Sequence, residues 1–249
     1  MKIEPILAYF ESVAPLSSAE EWDNVGLLCG SKDNEVTKVL LALDITSDVV
    51  REAKEKGCEL ILSHHPVIFD PLRRIEPDSA VELLIKYDIA ALCLHTNLDK
   101  AENGVNTALA KALSLQDTAL YSDDFLCIGT LLSPMTAEAF AQYIKAHIGS
   151  PSVRFTETGK PVYTVAVSSG GGGEGVELWE KYRFDAFVTG EIKHHQYLFA
   201  KEHGIAAFDA GHFSTEDVVI EPLKKALQTE FSDIRFMKSE RCECPYRAV

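Results

Sequence analysis

The chain has 249 residues, 46% hydrophobic and 25% charged, enough apolar material for one large core or two smaller ones. Lys and Arg number 24 against 38 Asp and Glu, and the net charge of −14 argues against a nucleic-acid partner, because a phosphate backbone is bound by clustered cations. No stretch reaches the ~18–20 apolar residues of a membrane span, and Glu4 and Pro5 interrupt what would be the apolar centre of an export signal, so the expectation is a cytoplasmic protein without a membrane partner.

In chain order, KVLLALD (38–44) is a short and nearly continuous apolar run, the pattern of a strand covered on both faces. SDVVREAKEKG (47–57) reads as a helix stopped by Gly57, ELILS (59–63) as a strand, SAVELLIKYD (79–88) as a helix, IAALCLHT (89–96) as a strand and NTALAKAL (106–113) as a helix. Residues 114–160 hold turn-rich pieces and the amphipathic helix TAEAFAQYIKAHIG (136–149). The order then repeats: strand PVYTVAVSS (161–169), helix EGVELWEKYR (174–183), strand DAFVTGE (185–191), helix HHQYLFAKEHG (194–204) and strand IAAFDAGH (205–212).

Strand–helix alternation predicts an α/β fold with many parallel neighbours. The segments at 89–113 and 205–227 both open on Ile-Ala-Ala, turn polar at the strand end and close a helix on Lys-Ala-Leu. The expected organisation is two similar α/β domains from an internal duplication, with mixed, largely parallel sheets, spanning 1–122 and 123–249. Of the six cysteines, Cys29, Cys58, Cys93 and Cys127 sit singly in or beside apolar runs, as reduced core thiols do; Cys242 and Cys244 form a lone pair without the further ligands a zinc site needs.

In open α/β sheets, sites form beyond the carboxyl ends of the strands. Four polar clusters fall there: His64 and His65; His95, Asn97 and Asp99; Glu191, His194 and His195; His212 and Glu216. His64 and His65 would face opposite ways in a regular strand, but at an irregular strand end before Pro66 both can turn toward one cavity. His212 and Glu216 are four apart at the head of a helix and share a face. Asp99 brings negative charge suited to divalent ions. Taken alone, Asp99 is as readily a turn or N-cap residue and Glu216 a helix-terminus acid. Together, at matching ends of a repeated unit, these residues point to metal.

Glu191 and His194 are candidates for catalytic proton transfer or substrate contact, with capping and surface roles as the plain alternative. SSGGGG (168–173) offers amides that could cradle a phosphate but lacks the Lys-Ser/Thr of a P-loop; a flexible turn is the plainer reading. Trp22, Asp23, Asn24 and Asp44 are candidates for the pocket wall.

The words EEWDNVGLL (20–28), LALDIT (41–46), LILSHHPVIF (60–69), LHTNLD (94–99), SSGGGG (168–173), TGEIKHHQ (189–196) and DAGHFSTE (209–216) run in an order that resembles the NIF-three-like family, also called GTP cyclohydrolase I type 2 homologues. The resemblance covers most of the chain and implies the NIF-three-like fold, a homohexameric ring and a two-metal site. In that site Glu216 would bridge both ions, His64 and Asp99 would hold one, and His65 and His212 the other. Mixed His and carboxylate ligands leave Zn, Mn, Fe or Ni open.

No Ser or Cys sits in a nucleophile motif. The expected function is therefore a dinuclear metal-dependent hydrolase, in which metal-activated water attacks a purine nucleotide or a related anionic small molecule. The family name points to GTP, with attack at C8 of the purine. The rivals are a two-metal phosphoesterase or pyrophosphatase, and a non-enzymatic metal-binding scaffold or carrier.

Overall fold

The computed structural model describes residues 1–248. Helix α1 (Glu4–Val13) leads to strands β1 (Gly26–Cys29) and β2 (Lys38–Ala42), helix α2 (Ser47–Lys56), strand β3 (Leu60–Ser63), helix α3 (Ala80–Tyr87), strand β4 (Ala90–Cys93) and the single turn α4 (Thr96–Asp99). Then come α5 (Val105–Ala112), β5 (Gln116–Tyr121), β6 (Leu126–Met135), α6 (Ala137–Ile148), β7 (Arg154–Phe155), β8 (Val162–Ser168), α7 (Trp179–Tyr182), β9 (Ala186–Thr189), α8 (His194–His203), β10 (Ala206–Asp209), α9 (His212–Asp217), α10 (Ile220–Glu230) and β11 (Arg235–Lys238). Two compact units result. Met1–Ala101 and Ile220–Glu243 form one; Glu102–Val219 and the residues from Cys244 onward form the other.

The first unit holds a five-stranded sheet ordered β1-β4-β3-β2-β11. The last four are mutually parallel, and β1 runs antiparallel on β4. Every residue of β3 and β4 is buried, as their unbroken apolar runs require. Leu40, Ala42, Ile61 and Ala91 pack against Val49, Val50 and Ala53 of α2 and Leu83 and Leu84 of α3. Both helices are locally specified. Thr46 accepts the Val49 amide at 3.3 Å and Ser79 accepts the Glu82 amide at 3.3 Å, while Gly57 ends α2 at φ 67°.

The second unit holds a six-stranded sheet ordered β5-β6-β8-β9-β10-β7. Strands β8, β9 and β10 are parallel, flanked by antiparallel β6 and β7. Successive residues alternate faces. Val165, Val167, Ala186, Val188, Ala206 and Phe208 meet Leu109 of α5 and Phe140 and Ile144 of α6, whereas Ala166, Phe187 and Ala207 meet Val176 and Ala200 on the other side.

The fold is thus mixed α/β with two mixed sheets. Each unit contains three sequential parallel strands (β2-β3-β4 and β8-β9-β10) with an antiparallel strand on the third. Two expectations are corrected, and one strand is new. The turn-rich stretch 114–135 is largely the antiparallel pair β5–β6. The helix expected at 174–183 is a 3₁₀ segment (Gly172–Leu178) followed by one α turn, because its glycines are poor helix formers and a Cβ on Gly175 would come within 3.0 Å of the Phe187 ring. Strand β11, unannounced by the sequence pattern, extends the first sheet beside β2. Among the described residues, no helix is long and apolar enough to cross a membrane.

Candidate metal-binding groups

In the first unit the chemistry gathers just past the carboxyl ends of β2, β3 and β4. Parallel pairing continues beyond β3: the His65 amide donates to Leu43 O at 2.9 Å and the Leu94 amide to Ser63 O at 3.0 Å. His64 and His65 therefore sit on a fixed backbone although regular strand has ended. Each ring is then held at Nδ1. His64 Nδ1 lies 2.8 Å from Leu94 O, His65 Nδ1 2.8 Å from Asp44 Oδ1, and His95 Nδ1 2.9 Å from Asp23 Oδ1. Carbonyl and carboxylate oxygens only accept, so Nδ1 carries the proton in all three and the lone pair lies on Nε2, the tautomer a metal ligand needs.

The three rings lie close, with centroids 5.0 Å (His64–His65), 5.1 Å (His64–His95) and 5.5 Å (His65–His95) apart. Their ligand atoms fall within 4.8 Å of one another. Asp99, on the turn after β4, places Oδ1 3.6 Å from His64 Nε2. Expected ligands His64, His65 and Asp99 are thus gathered, and His95, noted in the sequence only as part of a polar strand end, joins them. Its signal is the partner Asp23, 72 residues earlier, which also accepts the Thr96 amide at 3.0 Å and Thr96 Oγ1 at 2.5 Å. Burial alone would raise the Asp23 carboxyl, but these hydrogen bonds from His95 and Thr96 outweigh it and hold the group well below the usual carboxylate range.

In the second unit, α9 carries His212 and Glu216 on one face, with Nε2 3.0 Å from Oε2. His212 Nδ1 lies 2.9 Å from Glu191 Oε1, the same Nδ1 anchoring seen in the first unit. Glu191 therefore touches a candidate ligand. His194 and His195 stand exposed on the first turn of α8 and, among the described residues, make no hydrogen bond to the His212–Glu216 pair.

The glycines after β8 and β9 explain how Glu216 fits. A Cβ on Gly170 (φ +56°) would lie 1.8 Å from Glu216 Oε1 and 3.1 Å from His212 Nε2, and one on Gly190 would lie 2.6 Å from His212 Cα. Only bare backbone can approach the pair so closely. The amides of Ser169 and Gly170 already donate, to Asn106 Oδ1 at 2.8 Å and Thr215 Oγ1 at 3.1 Å. Within SSGGGG, Gly170 thus packs against the candidate ligands, and the amides of Ser169, Gly170 and Gly172 are committed within the protein.

A family profile described as Duf34/NIF3 (NGG1p interacting factor 3) matches residues 1–245. The chain belongs to the Duf34/NIF3 family. A Clostridium perfringens relative, named GTP cyclohydrolase 1 type 2 homolog, is 32% identical to this NIF3-family chain over the full length of both. The crystal structure of Staphylococcus aureus protein SA1388 is similar at a TM-score of 0.94 and 32% identity, covering 100% of this chain and 99% of that one. A Bacillus cereus protein related to NIF3 shares the fold at a TM-score of 0.92 and 24% identity, again covering 100% and 99%.

Proposed function

We propose that this NIF3-family chain is a metal-dependent hydrolase in which His64, His65, Asp99, His212 and Glu216 together hold two divalent ions. The observation that carries the reading is the common anchoring of the imidazoles: each is held through Nδ1 by an oxygen acceptor, with His64 Nε2 turned toward Asp99 and His212 Nε2 toward Glu216. Outer carboxylates such as Asp44 and Glu191 orient metal-binding rings and raise their basicity. Mixed imidazole and carboxylate donors suit Zn, Mn, Fe or Ni. Bound divalent ions supply Lewis acidity, making water nucleophilic near neutral pH and polarising the electrophile.

The chain's own groups set the geometry. Asp44, the Leu94 carbonyl and Glu191 fix ring orientation, and the bare backbone of Gly170 and Gly190 leaves room for Glu216 beside His212. Glu191 acts in this reading as a positioning residue for His212. His194, exposed on α8, is the remaining proton-transfer candidate. The substrate is a purine nucleotide, a choice supported by the name of the C. perfringens relative and by the need for local cations to draw an anion to a chain of net charge −14. The family resemblance adds self-association into a homohexameric ring.

Metal-reconstituted protein incubated with nucleotides and phosphoesters tests the reading, with His64→Ala and Glu216→Ala as controls. Formate and a dihydroneopterin-type product from GTP, lost in both variants, are the expected result. Phosphate release instead would assign a phosphoesterase. Tight metal retention with no turnover of any compound would assign a carrier or scaffold.

A further inference from the structure

Trp22 and Phe69 are 59% and 49% exposed, unusual for large aromatics, and stand together with ring centroids 5.9 Å apart. Both also touch His95 edge-on, with centroids 6.2 Å (Trp22) and 6.4 Å (Phe69) from its ring. The segment that carries Trp22 is tied down on every side. The Glu20 amide donates to Thr96 Oγ1 at 3.0 Å and Lys100 Nζ to Glu20 Oε1 at 2.5 Å. Asp23, its side chain fully buried, accepts from His95 and Thr96, and Asn24 Nδ2 donates to Ile68 O at 2.6 Å. That last bond fastens the Trp22 segment to the residue preceding Phe69. An indole held in water by a rigid frame forgoes both burial and mobility, and here it does so beside a histidine cluster.

We propose that Trp22 and Phe69 form a stacking platform for the planar heteroaromatic ring of the substrate, next to His95. The proposal deepens the hydrolase reading by naming the residues that recognise the base. At 5.9 Å the two rings are too close to admit a third between them, so the ligand lies on their exposed outer faces. Stacking is tolerant of ring type, so the platform selects for a flat π-system and leaves exact identity to other groups.

The test uses the full chain, metal-free and metal-loaded, with Trp179→Phe as background so that Trp22 is the sole indole. Guanosine 5′-monophosphate should quench Trp22 emission saturably, and ribose 5-phosphate should not. Titration calorimetry should show Trp22→Ala weakening guanosine 5′-monophosphate binding about tenfold or more, with Trp22→Phe retaining most of it. Phe69→Ala should weaken it less, with metal content and circular dichroism unchanged in every variant. Equal binding by parent and Trp22→Ala, equal binding of nucleotide and sugar phosphate, or no base-dependent binding by the parent would each overturn the platform. So would a Trp22→Ala change confined to sedimentation behaviour, which would make the pair a contact between chains. Quenching read on metal-free protein keeps this outcome separate from failure of the metal site, which metal content reports.

Discussion

At the scale of single residues, the decisive groups are those one bond removed from the candidate ligands. Asp44 and Glu191 accept from Nδ1 of His65 and His212, so Asp44→Asn and Glu191→Gln replace a charged acceptor with an amide that can present the wrong end. Each should lower affinity for a divalent ion about 10–100-fold while leaving the unfolding midpoint nearly unchanged; competition with a chromogenic chelator measures this. Unchanged metal affinity would make these carboxylates ordinary surface acids. Gly170 supplies a second check. Its φ of +56° and the 1.8 Å that would separate an added Cβ from Glu216 Oε1 mean Gly170→Ala must displace the carboxylate or the loop. We expect a stability loss of about 1–3 kcal/mol by denaturant unfolding, accompanied by weaker metal binding.

At the scale of elements, the C-terminal segment depends on one side chain of α2. Glu52, only 2% exposed, accepts Ser239 Oγ at 2.5 Å, the Glu240 amide at 2.9 Å, the Arg241 amide at 3.1 Å and Lys56 Nζ at 2.6 Å. Burial raises its carboxyl, but the amides of Glu240 and Arg241, with Lys56 and Ser239, outweigh burial and lower it from 4.5. A carboxyl lowered in the folded state contributes its stability above the unfolded value and loses it as pH falls through the lower folded one. Glu52→Gln should therefore cost about 1–3 kcal/mol near pH 7. That deficit should shrink once the pH drops below about 4.5, as thermal melts across pH will read.

Most helices and the parallel strands were legible in the sequence because their signals are local. Unbroken apolar runs mark strands covered on both faces, and Gly57 marks a helix end. Strand β11 was not legible, since Arg235–Lys238 becomes a strand only by pairing with Lys38–Leu41, far away in the chain. His95 was half legible: its strand-end position is local, but its orientation comes from Asp23. The purpose of SSGGGG was hidden because it lies in a Cβ that is missing, and only distances to Glu216 and His212 reveal why.

At the scale of the whole molecule, a chain of net charge −14 carries histidines and acids at the strand ends of two units built on one plan, three sequential parallel strands with an antiparallel strand on the third. Each unit contributes rings anchored at Nδ1 by an oxygen acceptor, as metal-binding imidazoles are. Elemental analysis of freshly purified protein, expressed as ions per chain, tests the central claim most directly. The account predicts close to two divalent ions per chain in the parent and a clear loss in His64→Ala and Glu216→Ala. One ion or fewer per chain, unaltered in those variants, would contradict it.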